Sequence, residues 1–138
     1  MSARDLFHNA MRNALVKEGW TITHDPYPLS VDDINMAVDL GAEKLIAAIK
    51  DQKKIAVEIK SFVGASNISE FHTALGQFLN YQTALDSQEP DRILYLAIPS
   101  DTYKDFFMRP FVQTVMQRHQ LKLVVFRPQA EAIARWIN

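Results

Sequence analysis

The amino-acid sequence predicts an α/β fold with a mixed central sheet flanked by helices, and three observations carry that expectation. Arg92-Ile93-Leu94-Tyr95-Leu96-Ala97-Ile98 is nearly all apolar, which marks a central strand buried on both faces. Residues 68–86 carry apolar side chains at helical spacing between strand-like segments, as a crossover onto a parallel strand requires. Strand-like segments precede that helix, and a strand, a further helix and another strand follow it. The expected order is α-β-β-β-α-β-α-β.

Residues 2–18 read as a helix, because Leu6, Phe7, Ala10, Ala14 and Leu15 recur every three or four positions. Ser2 suits the N-cap, and Gly19 suits a left-handed end. Glu18 reads as an exposed helix-terminal acid, with a place in a metal site as the alternative. Trp20-Thr21-Ile22-Thr23-His24 alternates like a half-buried strand, and Asp25-Pro26-Tyr27-Pro28 ends it, since proline cannot donate to a sheet ladder. His24 has no second His, Asp or Glu at i+2 or i+4, so a structural role is expected. Residues 27–34 read as loop, and Asn35–Leu40 as a short strand running up to Gly41.

Leu45–Ile49 and Ile55–Ile59 read as a hairpin with a polar tip at 50–54; a helix over 43–50 is the rival. After a loop at 62–67 comes the helix of 68–86, with Asn67 and Glu70 as a capping box. Phe71, Leu75, Phe78, Leu79 and Ala84 or Leu85 are expected in the core. Gln77 and Tyr81, four apart, share one helix face, which packs on the sheet or serves a site. Pro99 ends the strand at 92–98, and Ser100 caps a helix kinked or split near Pro110. Phe106, Phe107 and Phe111 read as core or an oligomer contact rather than a base-stacking platform. Leu121–Phe126 is a strand, and residues 131–137 alternate like one, though a short helix also fits.

A length of 138 residues suits one domain, 1–138, able to bury most of what the unfolded chain exposes. Hydrophobic content of 48% and charge of 22% argue against disorder. No apolar run approaches the roughly 20 residues that span a bilayer, so no membrane partner is expected. The start, Met1-Ser2-Ala3-Arg4-Asp5, lacks the basic-then-apolar pattern of a secretion signal, and cysteine is absent, so a cytoplasmic protein is expected. The net charge of −1 lacks the basic excess with which a protein grips DNA unaided. Lys44, Lys50, Lys53, Lys54 and Lys60 are expected close to the site described next, so any nucleic-acid grip is local or shared with a partner.

That site begins with Lys54–Ser61, where strand alternation puts Ile55, Val57 and Ile59 on one face and Glu58 and Lys60 on the other. Asp39, with eighteen residues between it and Glu58, ends its own strand and can approach them. Mg²⁺ takes oxygen ligands and keeps several waters, so Asp39, Glu58 and the backbone carbonyl of Ile59 suit Mg²⁺ or Mn²⁺. Such an ion polarises a phosphoryl oxygen and generates a nucleophile near neutral pH. Lys60 is placed to orient water or offset developing charge, and Gln77 to hydrogen-bond the water or Lys60. The competing reading of Glu58-x-Lys60 is a solvated pair worth at most about 1 kcal/mol.

These residues resemble a known pattern. Asp39-(x18)-Glu58-x-Lys60 on α-β-β-β-α-β resembles the PD-(D/E)xK superfamily, the restriction-endonuclease-like fold. Gln77-Phe78-Leu79-Asn80-Tyr81 has the Gln-x-x-x-Tyr form of its RecB-like branch. Ala3–Ala10, Gly19–Pro26, Val38–Leu45, Ile55–Phe62 and Leu94–Pro99 are similar to the XisH family, over about residues 3–137. The resemblance implies an fdxN-element excision controlling factor, which acts on DNA with a site-specific recombinase and an XisI-type protein. Carried over by position, the nuclease-like site is Asp39, Glu58 and Lys60, with Gln77 auxiliary. Val38 stands where the superfamily motif has proline. A non-catalytic regulatory factor on the same scaffold is the alternative, and a homo-oligomer is compatible with both.

Overall fold

The computed structural model describes residues 3–45 and 52–138. Helix α1 (Ala3–Lys17) leads to β1 (Thr21–His24), β2 (Tyr27–Val31), β3 (Ile34–Val38), β4 (Leu40–Leu45) and β5 (Gln52–Ile59). Next come α2 (Asn67–Gln88), β6 (Ile93–Pro99), a short α3 (Ser100–Thr102) continued by a π-helical turn (Tyr103–Phe107), α4 (Pro110–His119), β7 (Leu123–Arg127) and β8 (Ala132–Ile137). One sheet has six strands in the order β1-β4-β5-β6-β7-β8, and β2 and β3 form a separate two-stranded ribbon. The β5–β6 and β6–β7 pairs are parallel, and the remaining neighbours are antiparallel. The expected mixed α/β sheet flanked by helices is thus the observed one.

Both faces of this sheet are covered. Ile55, Val57, Tyr95, Ala97, Val124 and Phe126 pack with Met11 and Leu15 of α1. Their neighbours Ala56, Leu94, Leu96, Ile98 and Val125 point the other way, into a core with Phe71, Phe78 and Leu85 of α2, Tyr27 and Leu29 of β2, and Met116 of α4. Burial on both sides explains the continuous apolar run of β6. Each fully buried Leu or Ile contributes roughly 1.5–3 kcal/mol relative to exposure.

Several expectations are corrected. Residues 27–34 are not loop: Tyr27 pairs with Val38 and Val31 with Ile34, with Tyr27 and Leu29 buried between exposed Pro28 and Ser30. The prolines concealed a period of two. The strand expected over 35–40 is broken at Asp39, because β3 pairs with the ribbon and β4 with the main sheet. The hairpin onto β5 forms, but its first arm is residues 40–45, with Leu40 opposite Val57 and Leu45 opposite Gln52. The expected arm and tip lie largely outside the described residues, as does Ser2. Lys53 and Lys54, placed in the tip, belong to β5.

Helix α2 is capped by Ser66, whose Oγ accepts from the Ser69 N–H at 3.3 Å; Asn67 is already inside, so the capping box at Asn67 and Glu70 does not form. Of the apolar positions expected in α1 and α2, Leu6 and Leu79 are exposed, whereas Ala10, Ala14, Leu15, Phe71, Phe78, Ala84 and Leu85 are buried as expected; Met11, Ala74 and Tyr81 are buried as well. Helix formation does break before Pro110, and residues 132–137 are the strand alternative. Phe106 and Phe107 are buried in a ring cluster with Phe62 and Phe71, whereas Phe111 is exposed. Among the described residues no helix is long and apolar enough to cross a membrane.

Candidate active site

Asp39 occupies the bend where the chain leaves the ribbon and enters the main sheet, beside the C-terminal end of β5. Main-chain and side-chain bonds interlock there. The Ile59 N–H donates to Asp39 Oδ2 at 2.8 Å, and the Asp39 N–H donates to Glu58 Oε1 at 3.2 Å. Lys60 Nζ lies 3.4 Å from Glu58 Oε2. The Lys60 N–H extends the parallel ladder to the Ala97 carbonyl at 2.9 Å, which fixes its backbone.

These side chains open onto a cavity of about 540 Å³ whose opposite wall is α2. Glu70, Thr73, Gln77 and Tyr81 face it at helical spacing, with Asp39, Glu58, Ile59 and Lys60 across from them. Glu58 is only 7% exposed, and its carboxyl is pushed up to about 7. Burial is the main cause and the Asp39 charge the second, with Lys60 opposing both. Burial also raises the Tyr81 phenol, helped by Glu58 and Asp39. Gln77 Oε1 and Glu70 Oε2 are buried with no hydrogen-bond partner among the described residues.

Asp39, Glu58, Ile59, Lys60 and Gln77 are therefore brought together in one cleft. Among the described residues no group of three or more His, Cys, Asp or Glu gathers as a metal cage. Two facing carboxylates nevertheless fit a hard divalent cation that keeps several of its waters. A cation would also offset the repulsion between Asp39 and Glu58, and the buried Gln77 oxygen is a further acceptor.

The other lysines are not in this cleft. Lys44 and Lys53 lie over the Trp20 ring, and Lys54 pairs with Glu89 and Asp91. Lys53 and Lys54 belong to the opposite end of β5, seven and six residues from Lys60 and about 20 Å along an extended strand, and Lys44 of β4 pairs with Lys53 there. Lys50 lies outside the described residues. Glu18 accepts from the Trp136 Nε1–H, Glu43 pairs with Arg92, and His24 packs edge-on against Tyr27. A larger cavity of about 670 Å³ between α1 and residues 128–131 has no such convergence of carboxylates, so the chemistry points to the smaller one.

Glu70 and Thr73 were missed as cleft residues, although their spacing of seven and four from Gln77 signals the shared face. Missed too was the buried Arg92, which donates to Glu89 at 2.7 Å and to the Ile55 carbonyl at 2.8 Å. Its guanidinium also lies over the Tyr27 ring. The hydrogen bond from Arg92 is the main cause that holds the Glu89 carboxyl at about 2, with hydrogen bonds from Tyr27 and Lys54 adding to it. No short-range pattern reveals a long-range cluster of this kind.

Residues 1–134 match the family described as XisH protein. Two crystal structures are similar throughout. An XisH family protein from Nostoc punctiforme PCC 73102 is 45% identical with a TM-score of 0.89, covering 97% of this chain and 100% of that one. An fdxN element excision controlling factor protein from Anabaena variabilis is 48% identical with a TM-score of 0.89, covering 98% and 100%. No curated protein matches.

Proposed function

The chain belongs to the XisH family, and from that premise we propose that it is an excision controlling factor with a PD-(D/E)xK-type site for metal-dependent phosphodiester hydrolysis in DNA. The observation that carries this reading is the convergence of Asp39, Glu58 and Lys60 at one end of β5, facing Gln77 across a cleft. Asp39 and Glu58 would hold Mg²⁺ or Mn²⁺, with the main-chain carbonyl of Ile59 as a further ligand. When bound, the ion supplies Lewis-acid polarisation and an acidified water. Glu58 must release its proton to serve, which ties cation binding to pH near 7. Lys60 places a positive charge beside the carboxylates, where a phosphate accumulates negative charge in the transition state. Gln77 offers its buried amide oxygen to orient a water.

Incubation of supercoiled plasmid with purified protein and Mg²⁺ or Mn²⁺ tests the chemistry. Wild type is expected to nick, and Glu58→Gln and Lys60→Met to lose roughly 100-fold or more. No cutting by any protein, or equal cutting by all, removes the hydrolytic claim.

One observation favours a second reading, a non-catalytic accessory that lends the same scaffold to a site-specific recombinase or an XisI-type protein. Lys60 is the one cation among the described residues lining the cleft, and the net charge is −1, so the DNA grip would be shared. Excision in cells that survives Glu58→Gln supports this alternative over the first.

A further inference from the structure

The Asp39 bend is bracketed by one aromatic residue outside the cleft. In the ribbon, Tyr27 is the direct partner of Val38, the residue before Asp39. Its ring packs on Gly41, two residues after Asp39: a Cβ built on Gly41 would stand 2.9 Å from Tyr27 Cδ2 and 3.1 Å from His24 Cβ. The same residue thus pairs through its backbone with one side of the bend and packs its ring on the other.

Tyr27 is itself held at three further points. Its hydroxyl donates to Glu89 at 2.5 Å and accepts from Gln88 Nε2 at 3.2 Å, and the Arg92 guanidinium lies 4.5 Å from its ring centre. Gln88 also grips the adjoining backbone of β2, accepting from the Ser30 N–H at 3.0 Å and donating to the Pro28 carbonyl at 2.9 Å. Gln88 and Glu89 stand at the end of α2, the helix whose middle carries Gln77 and Tyr81. One wall of the cleft is thereby tied to the bend that delivers Asp39 to the other.

We propose that Tyr27 is the positioning residue for Asp39, with Gly41 left without a side chain so that the Tyr27 ring can lie against the bend. This rests on the reading of Asp39 as a metal ligand. Tyr27 touches neither cation nor substrate; it acts by fixing where the Asp39 carboxylate stands. Gly41→Ala, which crowds the ring, and Tyr27→Ala, which removes it, should both displace Asp39. Tyr27→Phe keeps the ring against Gly41 and should largely preserve it.

The Ile59 N–H, bonded to Asp39 Oδ2, reports Asp39 directly and without any cation. The measurement is its hydrogen-exchange rate by NMR, relative to the Leu96 N–H, which bonds the Lys122 carbonyl elsewhere in the sheet. The ratio should rise at least about tenfold in Gly41→Ala and Tyr27→Ala, as expected for loss of one hydrogen bond to a charged group. It should stay near wild type in Tyr27→Phe and in Val124→Ala, a core truncation on the α1 face that lowers stability by another route. An unchanged ratio in Gly41→Ala, or in Tyr27→Ala should the first variant fail to fold, overturns the inference. A parallel Mn²⁺ titration separates the two claims: a wild type that binds no Mn²⁺ removes the metal reading, whereas the Ile59 ratio still decides the positioning of Asp39.

Discussion

Glu58 is a carboxyl held where its charge is unwelcome. Its folded-state value of about 7 lies above the ordinary 4.5, so the folded protein binds this proton more tightly than the unfolded chain does. Stability from this group is full below about pH 4.5 and is lost as pH rises through 7. Glu58→Gln should therefore raise stability by up to about 3 kcal/mol at pH 8 and leave it nearly unchanged at pH 4. Thermal melts of both proteins across that range check this; a constant offset at every pH would contradict it. A residue that weakens the fold yet faces a cleft is a mark of function rather than packing. Glu89 has the opposite sign. Its carboxyl sits at about 2, chiefly through the hydrogen bond from Arg92, so its contribution is present above about pH 4.5 and disappears as pH falls towards 2. Arg92→Met should cost about 3 kcal/mol by leaving Glu89 without its main partner, and should flatten the acid limb of the stability profile.

Among the elements, α2 was the most legible in the sequence and the β2–β3 ribbon the least. The apolar spacing of Phe71, Phe78 and Leu85 announces α2, but Ser66 and Asn67 are both good caps, so the expected start falls one residue late. Ser66→Ala should cost about 1 kcal/mol and Asn67→Ala much less, by chemical denaturation. Equal losses would restore Asn67 as the cap. The ribbon is hidden in the sequence because Pro26 and Pro28 are strand breakers in any local reading, whereas Pro28 here stands on the exposed side of a ribbon latched by Gln88. The π-helical turn at Tyr103–Phe107 was equally hidden, since nothing local distinguishes it from an α-helix about to meet Pro110.

The arrangement of the sheet sends the cations away from the site. Lys44, Lys53 and Lys54 are near Glu58 and Lys60 in sequence, yet extended strands carry them to the far end, where Trp20 and Glu89 engage them. Any binding of this chain to DNA, as proposed above, should accordingly depend weakly on salt. A log–log slope of roughly −1 to −3 between 50 and 200 mM salt is expected by fluorescence anisotropy with a duplex oligonucleotide. A slope near −6 or steeper would mean that this chain grips DNA by itself, against the shared grip argued above.

By itself the sequence determined the α/β class, the doubly buried β6 and the pairing of Glu58, near the end of β5, with Lys60 just beyond it. Each depends on side-chain periodicity within one element, and periodicity is local. Only the tertiary structure decided that Asp39 is a bend between two sheets, that Glu70 and Thr73 share its cleft, and that Glu89 and Arg92 hold Tyr27 against Gly41 beside it. Those facts depend on which strands pair and on contacts between residues up to 62 apart in the chain, and pairing is settled by burial across the whole sheet rather than by any short run of residues.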